Sequence, residues 1–170
     1  MMQKILIPVD GSIYSDLAVQ HAALVYGKDP AAQIHLCNVQ PNLYRHITKF
    51  ISKKSISEWR KERSDAALAS ACAYLDKQNI PFSSSFICGE IGPSILQEAH
   101  ELNCQRILLG TSKKNIFSRI FEGSTTVKLL EKSDIPVEIV SGKALSPLKQ
   151  WSIPVLGAGA ATALFAIAID

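Results

Sequence analysis

A chain of 170 residues, 47% hydrophobic and 19% charged, is long enough to bury one ordinary core and is far from a disordered or collagenous composition. The formal charge of +3, from 18 Lys and Arg against 15 Asp and Glu, is too mild to mark a nucleic-acid-binding face, and the basic residues are not interleaved with aromatics for base stacking. Cys37, Cys72, Cys88 and Cys104 lack a C-x-x-C pair or histidine spacing, so they read as reduced, mostly buried small hydrophobes of a reducing cytosol.

The elements alternate along the chain. "KILIPVD" (4–10) is a short apolar run with no charged segment and long apolar core of a secretory signal, and it stops at Asp10-Gly11-Ser12. Leu17, Ala18, His21, Ala22, Leu24 and Val25 then recur at helical spacing until Gly27. "QIHLCNV" (33–39) is the second strand. It is followed by "QPNLYRHITKFISKKS" (40–55), longer than the usual few-residue connection and rich in Arg45, His46, Lys49, Lys53 and Lys54, a solvated basic loop or a lid. A Ser55-x-x-Glu58 capping box opens a long helix with the stripe Trp59, Leu68, Ala71, Cys72 and Leu75. Then come a strand over "PFSSSFIC", a helix over "GPSILQEAHEL" with Pro93 near its first turn, a strand over "QRILLG", a helix over "STTVKLLEKS" and a strand over "IPVEIV". Strands joined by helix-length connections pair in parallel through right-handed crossovers. The expectation is one α/β domain over residues 1–141, a doubly wound five-stranded parallel sheet whose ligand crevice lies beyond the strands' carboxyl ends, where Asp10, Val39, Gly89 and Gly110 fall.

The stretch "LLGTSKKNIFSRIFEGSTT" (108–126) ends a strand at Gly110, continues as a basic loop, and offers Gly123, Ser124 and Thr125 as the start of a helix. Free helix amides and the helix dipole make such a start an anion seat. Together with "ILIPVDGS" at the start and Gly89 near the third strand's end, this arrangement resembles the universal stress protein family over roughly residues 3–141. One branch of that family binds adenine nucleotides through G-x2-G-x9-G-S/T after the fourth strand. Here Gly110, Gly123 and Ser124 match, but Lys113 stands at the second glycine, where it either crowds a phosphate or supplies a charge to it. The resemblance implies ATP, with Mg2+, as ligand. Pro8, Val9 and Asp10 would then lie by the adenine and ribose, Val39 would meet the adenine through its backbone, and Gly89 would close the third strand's end. Gly110, Thr111, Lys113, Gly123, Ser124 and Thr125 would hold the phosphates and ribose. On purely local grounds, Asp10 and Ser124 are equally readable as helix caps and the glycines as turns.

Catalysis finds little support. His21, His35, His46 and His100 are scattered, with no G-x-S-x-G context or positioned partner, and no metal-ligating cluster is visible. Two functions compete: an adenine-nucleotide-binding regulator in which ATP orders residues 40–55, and a nucleotide-free dimeric interaction module. The final strand, 135–140, should present an unpaired edge with Val137 and Ile139, and the resemblance implies homodimer pairing there.

Beyond a linker at 142–150, "WSIPVLGAGAATALFAIAID" (151–170) runs from Ile153 to Ile169 without charge, about 25 Å as a helix and the lower limit for a bilayer core. Trp151 at the boundary, Lys143 and Lys149 before it, and the small pair Gly157 and Ala161 suit a membrane anchor, or a helix docked to an integral membrane partner, with the domain on the cytoplasmic face. A helix buried on the domain or in an oligomer is the alternative.

Overall fold

The computed structural model describes residues 3–42, 51–112 and 133–142, and every structural statement below concerns these. Their order is β1 (Gln3–Pro8), α1 (Ile13–Tyr26), β2 (Ala32–Gln40), α2 (Lys53–Lys77), β3 (Phe82–Cys88), α3 (Ile91–Glu101), β4 (Arg106–Ser112) and β5 (Val137–Gly142). The five strands form one sheet in the order β3-β2-β1-β4-β5, with every neighbouring pair parallel. The doubly wound sheet expected from the alternation is therefore present. Most of the fourth helix expected at 124–133, residues 43–50 of the long connection, and the tail at 151–170 lie outside the described residues.

Strand alternation sends successive side chains to opposite faces, and two cores result. On one face Ile5, Ile7, Val9, Ile34, Leu36 and Leu108 meet Ala18, Val19 and Ala22 of α1 and Leu68, Ala71 and Leu75 of α2. On the other, Leu6, Cys37, Ile107 and Leu109 meet Ile95 and Ala99 of α3. Near-continuous apolar runs such as Ile5-Leu6-Ile7 and Ile107-Leu108-Leu109 are what a strand buried on both faces requires.

Several local expectations are corrected. α1 buries its small residues Ala18, Val19, Ala22 and Ala23, while Leu24 and Val25 are exposed, because the helix lies so close on the sheet that only short side chains fit beneath it. α2 begins three residues before the expected box. Its cap is Ser52, whose hydroxyl oxygen accepts from the Ser55 amide at 3.0 Å, so Ser55 sits inside the first turn. Trp59 leaves the buried stripe and lies in the open under the Arg63 guanidinium, 5.0 Å from its ring centre. β4 does not stop at Gly110. Pairing with β5 carries the ladder on through Gly110↔Val140, Thr111↔Ser141 and Ser112↔Gly142. The last strand accordingly runs two residues further than expected, and it does form one edge of the sheet.

Candidate functional site

From β1 the chain steps to β2 and β3 on one side, then crosses back to β4 on the other, so strand order reverses between β1 and β4. In open α/β sheets such a reversal leaves a crevice beyond the carboxyl ends, because the helices on either side diverge there. Pro8 is the last residue of β1. Val9 is buried and its amide still bonds the Cys37 carbonyl at 2.8 Å. The β1–β2 register pairs Pro8 with Cys37, and the β1–β4 register pairs Leu6 with Ile107. Carried forward, these set Val9 level with Gly110, and Asp10 level with Val39. The expected nucleotide-side residues of three adjacent strands thus fall within one residue of the same height. Gly89 follows β3 one strand further out and bonds the Gln40 carbonyl at 3.0 Å.

The turn after β1 is built from its own polar groups. Gly11 takes a φ of +79°, which glycine adopts without strain, and the Asp10 carboxylate accepts from the Ser12 amide at 3.0 Å. Ser12 then caps α1 by accepting from Ser15. The cap is therefore Ser12, with Asp10 two residues earlier. Partial burial pushes the Asp10 carboxyl up, but hydrogen bonds from the Ser12 hydroxyl and amide and from Ser15 outweigh it and hold the group below the usual carboxylate value. A carboxylate kept ionised at the mouth of the crevice is suited to accepting hydrogen bonds from hydroxyls.

Gly110 has a different local explanation from the expected one. A Cβ at that position would lie 1.8 Å from the Tyr14 carbonyl oxygen and 2.4 Å from its carbon, so the first turn of α1 rests directly on the β4 backbone. Thr111 beside it is buried. Lys113, Gly123, Ser124 and Thr125, the remainder of the expected phosphate seat, lie outside the described residues.

Two residues missed in the sequence tie the site together. The buried Asn38 side-chain amide donates to the Val9 carbonyl at 2.6 Å, and the Gln40 amide donates to the Asn38 side-chain oxygen at 2.6 Å. With the Gly89–Gln40 bond, this fixes the ends of β1, β2 and β3 against one another. The available signal was polar Asn38 and Gln40 interrupting an apolar strand, since a buried side-chain amide must find partners. Among the described residues no group of three or more His, Cys, Asp or Glu could hold a metal ion, and no helix is long and apolar enough to cross a membrane.

The family model for the universal stress protein family matches residues 1–141. The chain is 30% identical over 80 residues to the stress response protein NhaX of Bacillus subtilis, covering 47% of this chain and 48% of that relative, so it spans about half of that protein. A universal stress protein of Methanocaldococcus jannaschii is 25% identical over 140 residues, 82% of each chain. A family structure from Burkholderia pseudomallei superposes with a TM-score of 0.63 at 18% identity, covering 81% of this chain and 95% of the other. One from Arabidopsis thaliana, solved with AMP bound, gives 0.62 at 14% identity, covering 84% and 93%. With five parallel strands in one sheet and the family match over its first 141 residues, the chain belongs to the universal stress protein family.

Proposed function

We propose that this protein is an adenine-nucleotide-binding regulator whose ligand lies across the carboxyl ends of β1, β2 and β4. The observation that carries the reading is that the registers, carried forward, bring Val9 opposite Gly110 and Asp10 opposite Val39, one residue apart at the strand-order reversal, with the Asp10 carboxylate held ionised there. Structures of the same fold solved with AMP and with cAMP support the ligand class. Pro8, Val9, Asp10 and Val39 would hold the adenine and ribose, with Gly89 closing the outer side. Thr111, Lys113, Gly123, Ser124 and Thr125 would hold the phosphates beyond Gly110, and Mg2+ would accompany ATP by neutralising phosphate charge. The crowding of Gly110 by Tyr14 leaves that glycine to α1 and shifts the phosphate contacts to the residues after it.

Calorimetric titration of the full chain with ATP, with and without Mg2+, tests this. Saturable heat at micromolar to millimolar ligand is expected, and native mass spectrometry should show one nucleotide per chain. Neither heat nor bound nucleotide would leave the competing reading, a nucleotide-free interaction module. Either way we infer a homodimer, because β5 lies at the sheet edge and two such edges can pair about a two-fold axis.

A further inference from the structure

A buried polar chain runs from β2 through β3 to α3, away from the crevice. The His35 side chain is 7% exposed and lies on the α3 face of the sheet. Its Nδ1 is 2.7 Å from Ser83 Oγ and its Nε2 2.9 Å from Ser85 Oγ. Ser85 donates its only hydroxyl hydrogen to Glu98 Oε1 at 2.6 Å. It must therefore accept from Nε2–H, and in the neutral ring Nδ1 accepts from Ser83. The neutral ring satisfies every member of this chain. The relay is also a polar attachment of α3 to the sheet, since Glu98 lies on that helix and Ser85 on β3.

The surroundings hold the ring neutral while α3 is in place. Burial disfavours the imidazolium. The Glu98 carboxylate, 3.5 Å from Nε2, opposes that, and Lys4 of β1 adds to the burial effect, so the ring's affinity for a proton falls below its ordinary level. The neighbouring thiols bring no charge: Cys37 is pushed up to about 12 by burial and by Glu98, and burial likewise raises Cys104.

We propose that the His35–Ser85–Glu98 relay is an acid-sensitive clasp that holds α3 on the sheet at neutral pH and loosens it on acidification. Detaching α3 hydrates His35 and restores its ordinary titration near pH 6.5, so protons favour the open state. The sign follows from the lowered folded value: the clasp is complete above about pH 6.5 and weakens as pH falls below it. Between pH 7.5 and 5.5 the opening equilibrium rises by at most about tenfold, the limit reached when the closed state stays unprotonated. The device stands whether or not a nucleotide binds.

Hydrogen exchange of the full chain at pH 7.5 and 5.5, corrected for intrinsic exchange rates, tests it on peptides covering Ile91–Glu101. Wild-type α3 should open several-fold more readily at pH 5.5, by more than α1 does, and His35→Gln, which keeps a donor and an acceptor but cannot be charged, should remove the excess. Equal acid response of the two proteins, or no response of α3, overturns the proposal. Should His35→Gln not fold, the wild-type imidazole resonances decide. A midpoint below that of a free histidine, lowered further in Glu98→Gln, supports the clasp, and a midpoint at or above it overturns it.

Discussion

Gly110→Ala separates two reasons for a glycine at the crevice. A methyl at this position would lie 1.8 Å from the Tyr14 carbonyl oxygen and 3.0 Å from the Ser15 amide nitrogen, whereas ordinary contact needs more than 3 Å, so α1 or β4 must move by over 1 Å. Both neighbours are backbone in regular elements and cannot swing aside as a side chain would. Overpacking of this kind costs about 1–3 kcal/mol, here near the upper end, while removing a glycine from the unfolded chain returns about 0.4–1 kcal/mol. The net expectation is a loss of about 2 kcal/mol without ligand, or roughly 4–8 °C in Tm for a chain of this size. Urea unfolding followed by circular dichroism reads it as a lower midpoint at unchanged slope. A variant as stable as wild type, or more stable, would refute the close α1–β4 packing and return Gly110 to the phosphate.

Lys113→Gly restores the family's glycine. If Lys113 obstructs the phosphate, calorimetry will show tighter ATP binding, and if it lends its charge, weaker binding by up to about tenfold. Glu138 accepts from His21 at 2.8 Å, Tyr26 at 3.1 Å and Arg106 at 3.0 Å; burial raises its carboxyl, but these bonds outweigh it and leave it below the usual glutamate value. Its stability contribution is complete above about pH 4.3 and lost as pH falls through the lowered value, so Glu138→Gln should cost about 1–3 kcal/mol at pH 7 and show less further loss in acid. A truncation after Gln150 tests the tail: if it is the anchor, full-length protein stays with membranes after carbonate washing while the truncation is released, and identical behaviour of the two would end that idea.

The fold was legible because its signals are local and repeated. Apolar runs such as Ile5-Leu6-Ile7, broken by helical spacing and turn residues, allow little besides a parallel sheet. The boundary at Gly110 was not legible, because a glycine in a strand looks the same whether it ends the ladder or admits a helix, and only the continued pairing with Val140 decides. Trp59 was misassigned for a similar reason: helical spacing says which residues share a face, but the cation of Arg63 gives the ring an outward partner. The strand-end residues Asp10 and Val39 were legible from position alone. The Asn38–Gln40 bridge and the His35–Ser85–Glu98 relay were not, since each joins residues that only the β1–β2–β3 register brings together.

The central place of β1 governs how the chain must fold. Its first partner, β2, begins at Ala32, but its second, β4, enters only with the pairing Ile5↔Arg106, about a hundred residues later. Until then this central strand, with Ile5, Leu6 and Ile7 fully buried in the finished sheet, has one satisfied edge and one open, and α1 lacks the β4 surface on which its first turn rests. A nascent chain ending near Cys88 would display that open edge to any neighbour, because unpaired apolar strands recruit others. The closing step is a long loop closure, slow relative to the local helices, so holdase chaperones should engage ribosome-bound chains up to the synthesis of β4 and release them once Ile107 and Leu109 have emerged.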